Sequence, residues 1–290
     1  MATRPLFSHM YDDLIPELRD VVRKQLETTP SITSEIYEQD VEQVKKSDKL
    51  LRRFLEYFAG DTTTACDKMI LSFKLQKELM LREMKDDYFP HELWILGSQR
   101  LCGKDKDGRP VAYLRLKYLR SEKIIREIVK RFIAYHFWKL EVASQETEGA
   151  ILIVDFAHLP FSHFNLDICL FALSLKEIFP LLLKQLIVLN VPWFAKAFCN
   201  TMKFAFPAHV RDLIIFLTVE DLRLFINESQ IPAFLNGSSG ETFEGEKAVP
   251  AGAPDIVHFA IHSMSMSEKE AQQLLQLANL MKRQFLGDEN

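Results

Sequence analysis

The chain has 290 residues, of which 48% are hydrophobic and 26% charged, with a formal net charge of −4 at pH 7. That length suits one large domain with an appended helical segment, or two modest domains, and the slight acidity argues against a general nucleic-acid binder, whose domain carries a basic excess. Against only 10 Gly the chain has 22 Phe, an unusual balance that points to a need for aromatic surface.

Residues 15–28, 33–46, 49–58 and 64–84 place apolar side chains at three- and four-residue spacing, which predicts an all-helical region over 1–95. From Val111 the pattern alternates: Ala112, Leu114 and Leu116 share one side and Tyr113, Arg115 and Lys117 the other, as in a strand preceded by an Asp107-Gly108 turn. Short apolar runs at 150–156, 186–190 and 213–217 then alternate with helical stretches at 122–143, 166–178 and 193–206. Strands buried on both faces and separated by helices imply a mainly parallel sheet, so the fold class is α/β behind an all-α N-terminal region. The segment 236–254, rich in Gly, Ser, Glu and Pro, reads as a mobile loop that bounds the sheet domain at 96–240. In the remaining part, 241–290, Ser267 and Glu270 form a capping box. Leu274, Leu275, Ala278, Met281 and Phe285 stripe a closing helix that either packs on the sheet domain or serves a protein partner.

Few residues suggest chemistry. Cys66, Cys102, Cys169 and Cys199 lie far apart and read as reduced thiols, without zinc-like spacing. Gly103 to Pro110 superficially suggests a phosphate loop, but Arg109-Pro110 follows the second glycine where Lys-Ser/Thr is required, so a hairpin turn is expected. Asp155, His158 and His163 stand after a strand, where catalytic groups often sit; alternatively Asp155 caps its loop by accepting from backbone amides. His258 and His262 have the spacing of a helical metal pair, although 255–262 also reads as an alternating strand. The cations Arg109, Arg115, Lys117, Arg120, Lys123, Arg126, Lys130 and Arg131 outnumber nearby carboxylates. They suit either anionic headgroups or a solvated, ion-paired face. A helix carrying Trp193, Phe194, Phe198, Met202 and Phe206 has the bulk to line a lipid pocket, enter a membrane interface or pack in a core. The longest apolar run, near 178–189, is cut by Pro180, Lys184 and Gln185, short of the roughly 20 residues that span a bilayer. With no apolar leader in 1–24, a cytosolic protein with peripheral membrane contact is expected.

The order of these features resembles the CRAL-TRIO (Sec14-like) family. Asp48 through Leu55 and the helix at 67–77 are similar to its helical leader, and Asp105 through Val111 to the entry of its first core strand. Ile151 through Asp155 looks like the second strand, Phe179-Pro180 like its aromatic-proline pair, and Asn190-Val191-Pro192 like its asparagine-x-proline signature. Ile231 through Gly237 resembles the closing segment, with Asn236 where the family has a first glycine. The likeness spans 41–237, and Arg115 to Tyr118 with Pro192-Trp193 and Ala197-Phe198 look closest to the motile-sperm-domain-containing protein 2 subgroup.

The resemblance implies a hydrophobic cavity between sheet and helices, closed by a gate at 203–212. Its pocket residues would be Leu114, Leu152, Val154, Phe171, Leu189 and Phe216, and Trp193, Phe194, Lys203, Phe204 and Phe206 would make gate or membrane contacts. Members that bind phosphatidylinositol carry a Glu and a Lys where this chain has Leu181 and Leu213. The expectation is a non-enzymatic protein without cofactor that carries a phospholipid, fatty acid or other lipophile between membranes. Its rivals are a recruitment module with a self-filled pocket and an esterase built on Asp155 and His158.

Overall fold

The structure is a computed structural model and describes residues 9–120 and 122–286. Helices α1 (Ile15–Thr28), α2 (Pro30–Ser34), α3 (Glu38–Lys46), α4 (Asp48–Tyr57) and α5 (Thr62–Glu78) form the N-terminal region. Ser47 and Asp61 accept from the amides of Leu50 and Thr64, capping α4 and α5. Leu18, Val22, Leu51, Phe54, Met69 and Phe73 build a core of their own here. The helix expected over 33–46 is instead two, broken by the non-helical residues between α2 and α3, and the one expected over 64–84 ends at Glu78, before Met80 adopts φ 55°.

After α6 (His91–Ile95) come β1 (Gln99–Lys104), β2 (Pro110–Arg115), α7 (Lys123–Ala143), β3 (Ala150–Asp155), α8 (Leu166–Ile178), β4 (Leu183–Leu189), α9 (Lys196–Met202) and β5 (Ile214–Leu217). The strands lie in sequence order in one sheet; β1 is antiparallel to β2, and the other neighbours are parallel. The antiparallel strand β1 was not expected; the hairpin turn was. Asp105 makes that turn by accepting from the amides of Asp107 and Arg109 at 3.0 and 2.8 Å, which accounts for the glycine-rich stretch without a phosphate.

Because the parallel strands advance in one direction, crossovers of one hand put their helices on one face. Ala112, Leu114, Leu152, Leu186 and Val188 meet Ile128, Phe132, Ile168 and Leu175 of α7 and α8 there. The opposite residues, Val111, Tyr113, Ile151, Ile153, Ile187 and Leu189, are covered by Leu222, Ile226, Ile231, Leu235 and Phe243 from short turns.

The segment 236–254, expected as a mobile loop or linker, makes several contacts with the sheet domain. Phe243 is buried, Glu244 accepts from Tyr118 Oη at 2.7 Å and pairs with Arg115 at 3.1 Å, and Arg100 donates to the carbonyls of Thr242 and Ala248. Asn236, at φ 57°, occupies the left-handed region that asparagine tolerates, which lets it replace a glycine. A Cβ on Gly237 would fall 2.0 Å from the Ile231 carbonyl oxygen, so that position requires glycine.

The chain closes with α10 (Ile256–His262) and α11 (Glu268–Leu286). Residues 255–262 are therefore helix, with Asp255 accepting from Val257 and His258 as its cap. The capping box at Ser267 and Glu270 forms. Leu274, Ala278 and Met281 of α11 join the main core beside Phe259 and α7, so its apolar stripe is used within the chain.

Candidate functional site

Helix α8 explains where a cavity can form. Capped by Asn165, which accepts from the Ile168 amide, it is apolar on nearly every side until Lys176, so its two flanks cannot both face one packed core. One flank lines a cavity of about 120 Å³ between α8, α7 and the sheet, with Leu114, Leu152, Val154, Leu186 and Val188 as its floor. At roughly 12 Å³ of such space per water, about ten water-sized groups fit, the length of one short acyl chain. Ile168, Cys169, Ala172 and Leu173 form one wall, Ile133 and Phe137 another, and Phe198, Met202 and Phe206 close the side toward α9.

At the end nearest the N-terminal region, Tyr57 of α4 joins Leu181, Leu213 and Phe206. Three contacts hold α4 and α5 against this end. Arg53, itself buried, donates to the Pro180 carbonyl at 2.8 Å and takes Glu141 of α7 in a two-pronged pair. Lys68 meets Glu177 at 2.8 Å, and Ser72 Oγ donates to the Ile178 carbonyl at 2.6 Å. Leu181 is held at φ 53°, a conformation that costs an ordinary L-residue about 1–2 kcal/mol, so its side chain is aimed into the cavity at the expense of local strain.

The cavity holds little that could do chemistry. Among the described residues no carboxylate and no histidine lines it. Burial pushes the thiol of Cys169, on the lining, up to about 12, so it stays protonated and unreactive at neutral pH.

The family model for the CRAL/TRIO domain matches residues 96–237. These residues are a CRAL/TRIO domain. The whole chain also resembles the crystal structure of Sfh5, with a TM-score of 0.56 and 14% identity over 91% of this chain and 98% of that one; at such identity the likeness is one of fold, and the fold is Sec14-like.

Within the CRAL/TRIO domain, three of the six expected pocket residues, Leu114, Leu152 and Val154, line the cavity. The other three do not. Leu189 points to the opposite face, because strand side chains alternate and it follows Val188. Phe216 is on the cavity face of β5, but the sheet ends there; it is 38% exposed beside a separate recess, with Lys203 Nζ 5.2 Å from its ring centre. Phe171 lies one position past the lining flank of α8 and packs near Lys130 instead.

Of the expected gate residues, Phe206 lines the cavity from inside, whereas Trp193 and Phe204 are 80% and 70% exposed. Phe194 is half-buried, edge-on to Trp193, Phe161 and Phe164 at 5.3 to 6.0 Å. Lys203 is half-buried over Phe216. Phe161, 71% exposed, extends this aromatic surface and was not foreseen.

Several other sequence candidates have structural tasks. Asp155 accepts from the Ala157 amide at 2.9 Å and from Asn190 Nδ2 at 2.8 Å, capping the loop, and among the described residues no hydrogen bond joins it to His158. His258 and His262 have ring centres 4.3 Å apart, but among the described residues no three His, Cys, Asp or Glu side chains gather as a metal site. Half of the basic stretch is ion-paired: Arg109 with Asp105 and Asp107, Arg115 with Glu244, Arg120 with Glu122, and Lys130 with Glu127 and Asp167. Among the described residues no helix is long and apolar enough to cross a membrane.

Proposed function

We propose that this protein binds a lipophile, such as a phospholipid, fatty acid or neutral lipid, in the cavity on the α7 and α8 face and exchanges it at membranes. The observation that carries the reading is the apolar cavity itself, walled by leucine, isoleucine, valine and phenylalanine side chains and left unfilled by the protein's own residues. A chain of about ten methylenes gains roughly 8 kcal/mol on leaving water, ample for micromolar binding after the cost of immobilisation. Exchange would proceed by movement of the segment 203–213, whose Phe206 and Leu213 face the cavity while Phe204 faces out. Trp193, Phe204 and Phe161 would rest in the membrane interface, where amphipathic and aromatic rings are favoured. With half of the cations in the basic stretch ion-paired, that contact would rest on apolar area as well as on charge. We also place the chain nearest the motile-sperm-domain-containing protein 2 subgroup, on Arg115 to Tyr118 and Pro192-Trp193, and in the cytoplasm. No catalytic step is assigned.

The test is to extract the protein purified from cells and identify what co-purifies, against a Leu152→Trp variant whose indole occupies the cavity. A stoichiometric lipid in the parent, lost from a folded variant, is the expected result. A lipid-free parent that transfers no lipid class between vesicles would favour the rival recruitment module.

A further inference from the structure

Among the residues lining the cavity, Tyr57 supplies the one hydroxyl. The residue is 4% exposed, and among the described residues its Oη has no hydrogen-bond partner. A buried hydroxyl without a partner is uncommon in folded proteins, since the lost hydration is not recovered. Its surroundings make the isolation clear: Leu181, Leu213, Phe58 and Phe206 pack around it. The only cation among the described residues of the lining, Lys176, is engaged by Glu177 at 3.2 Å and lies 6.0 Å from the Phe206 ring centre.

We infer that Tyr57 is a ligand-reading residue, and that the cavity takes a neutral lipophile with one hydroxyl or carbonyl group, which hydrogen-bonds Tyr57 Oη while its hydrocarbon lies along the Leu114, Leu152 and Val154 floor. The inference deepens the lipophile-binding proposal and rests on it. Burial, reinforced by the Glu177 carboxylate, raises the Tyr57 pKa, so the phenol stays protonated and can donate as well as accept. A phosphate at this end would meet Leu181 and Leu213, while Lys176, the one cation among the described lining residues, is already paired with Glu177, and a buried unpaired charge is strongly disfavoured.

The experiment measures binding of 1-decanol, decane, decanoate and a diacyl phosphatidylinositol to the delipidated 290-residue chain and to its Tyr57→Phe variant, which keeps the ring and its packing. Decanol should bind Tyr57→Phe about two- to tenfold more weakly than it binds the parent, the worth of one neutral hydrogen bond, while decane is unchanged. Decanoate and phosphatidylinositol should bind the parent more weakly than decanol. Equal decanol affinity in both proteins, or tighter binding of either anion, overturns the inference and leaves lipid binding standing. If none of the four binds the parent, the lipophile-binding proposal fails as well. Thermal unfolding without ligand separates a structural role: Tyr57→Phe should melt at the same temperature or higher, and a lower melting temperature would mean that the hydroxyl supports the fold.

Discussion

The two faces of the sheet are made from the same kinds of residue and do different things. Ile151, Ile153, Ile187 and Leu189 are sealed under short turns whose single side chains, Leu222, Ile226 and Phe243 among them, drop directly onto the strands. Leu114, Leu152, Val154 and Val188 face two long helices, and a cavity remains between. Short turns can follow the pleat and fill each gap, whereas a helix as long as α8 cannot match a twisted sheet over its whole length. The empty space is thus a property of the covering layer and not of the strands.

The largest effect expected from this contrast is on stability. Ile153, fully buried under the turns, should cost about 4 kcal/mol when replaced by alanine, because its neighbours cannot collapse into the hole. Leu152→Ala should cost about 2 kcal/mol, since its side chain already borders empty space and makes fewer contacts. Denaturant midpoints at constant slope measure both. Equal losses would break the comparison and mean that the cavity face is packed as tightly as the other.

The same contrast explains what the sequence reveals and what it hides. Alternation and short apolar runs locate β2 to β5 and the helices between them, because burial on both faces leaves a plain hydrophobic signature. It cannot say which face is hollow, so Leu152 and Leu189 read alike although one lines the cavity and the other is sealed away. The strand β1 escaped notice because Arg100 and Lys104 interrupt it, and an edge strand tolerates such residues. Tyr57 was invisible for a different reason: it reaches the cavity from the N-terminal helices, through the Arg53, Lys68 and Ser72 contacts that only tertiary packing creates. Helix α8 does carry a legible signal, because apolar residues on nearly every side of a helix of ordinary length signal contact on more than one side.

A second, smaller difference between the faces concerns acid. His136 of α7 lies on the helix-covered side, its Nδ1–H donating to the Phe132 carbonyl at 2.9 Å and its ring packed against Phe132 and Trp94. Burial lowers its pKa from 6.5 to about 4. Below about pH 6.5 the unfolded chain therefore takes up a proton that the folded chain refuses, and stability falls as pH drops toward 4, where the effect levels off. The full loss is of order 3 kcal/mol. Unfolding followed by fluorescence from pH 7 to 4 should show it, and His136→Phe should flatten that part of the profile. A variant as acid-sensitive as the parent would assign the acid response to other groups.

The smallest effect sharpens the comparison most directly, because each face carries one buried tyrosine hydroxyl without a partner among the described residues: Tyr57 at the cavity and Tyr113 on the sealed side. Tyr113 packs edge-on against Phe243 and Phe234, with ring centres 5.5 and 6.1 Å away. The ring is wedged between these two phenylalanines and does not line the lipid-sized cavity, so its hydroxyl carries the cost of lost hydration with no ligand to offset it. Tyr113→Phe should raise stability by about 1 kcal/mol and leave decanol and decane binding unchanged. Tyr57→Phe should share the first behaviour and not the second. If instead Tyr113→Phe weakens decanol binding, ligand reaches both faces of the sheet, and the division between a hollow and a sealed side fails.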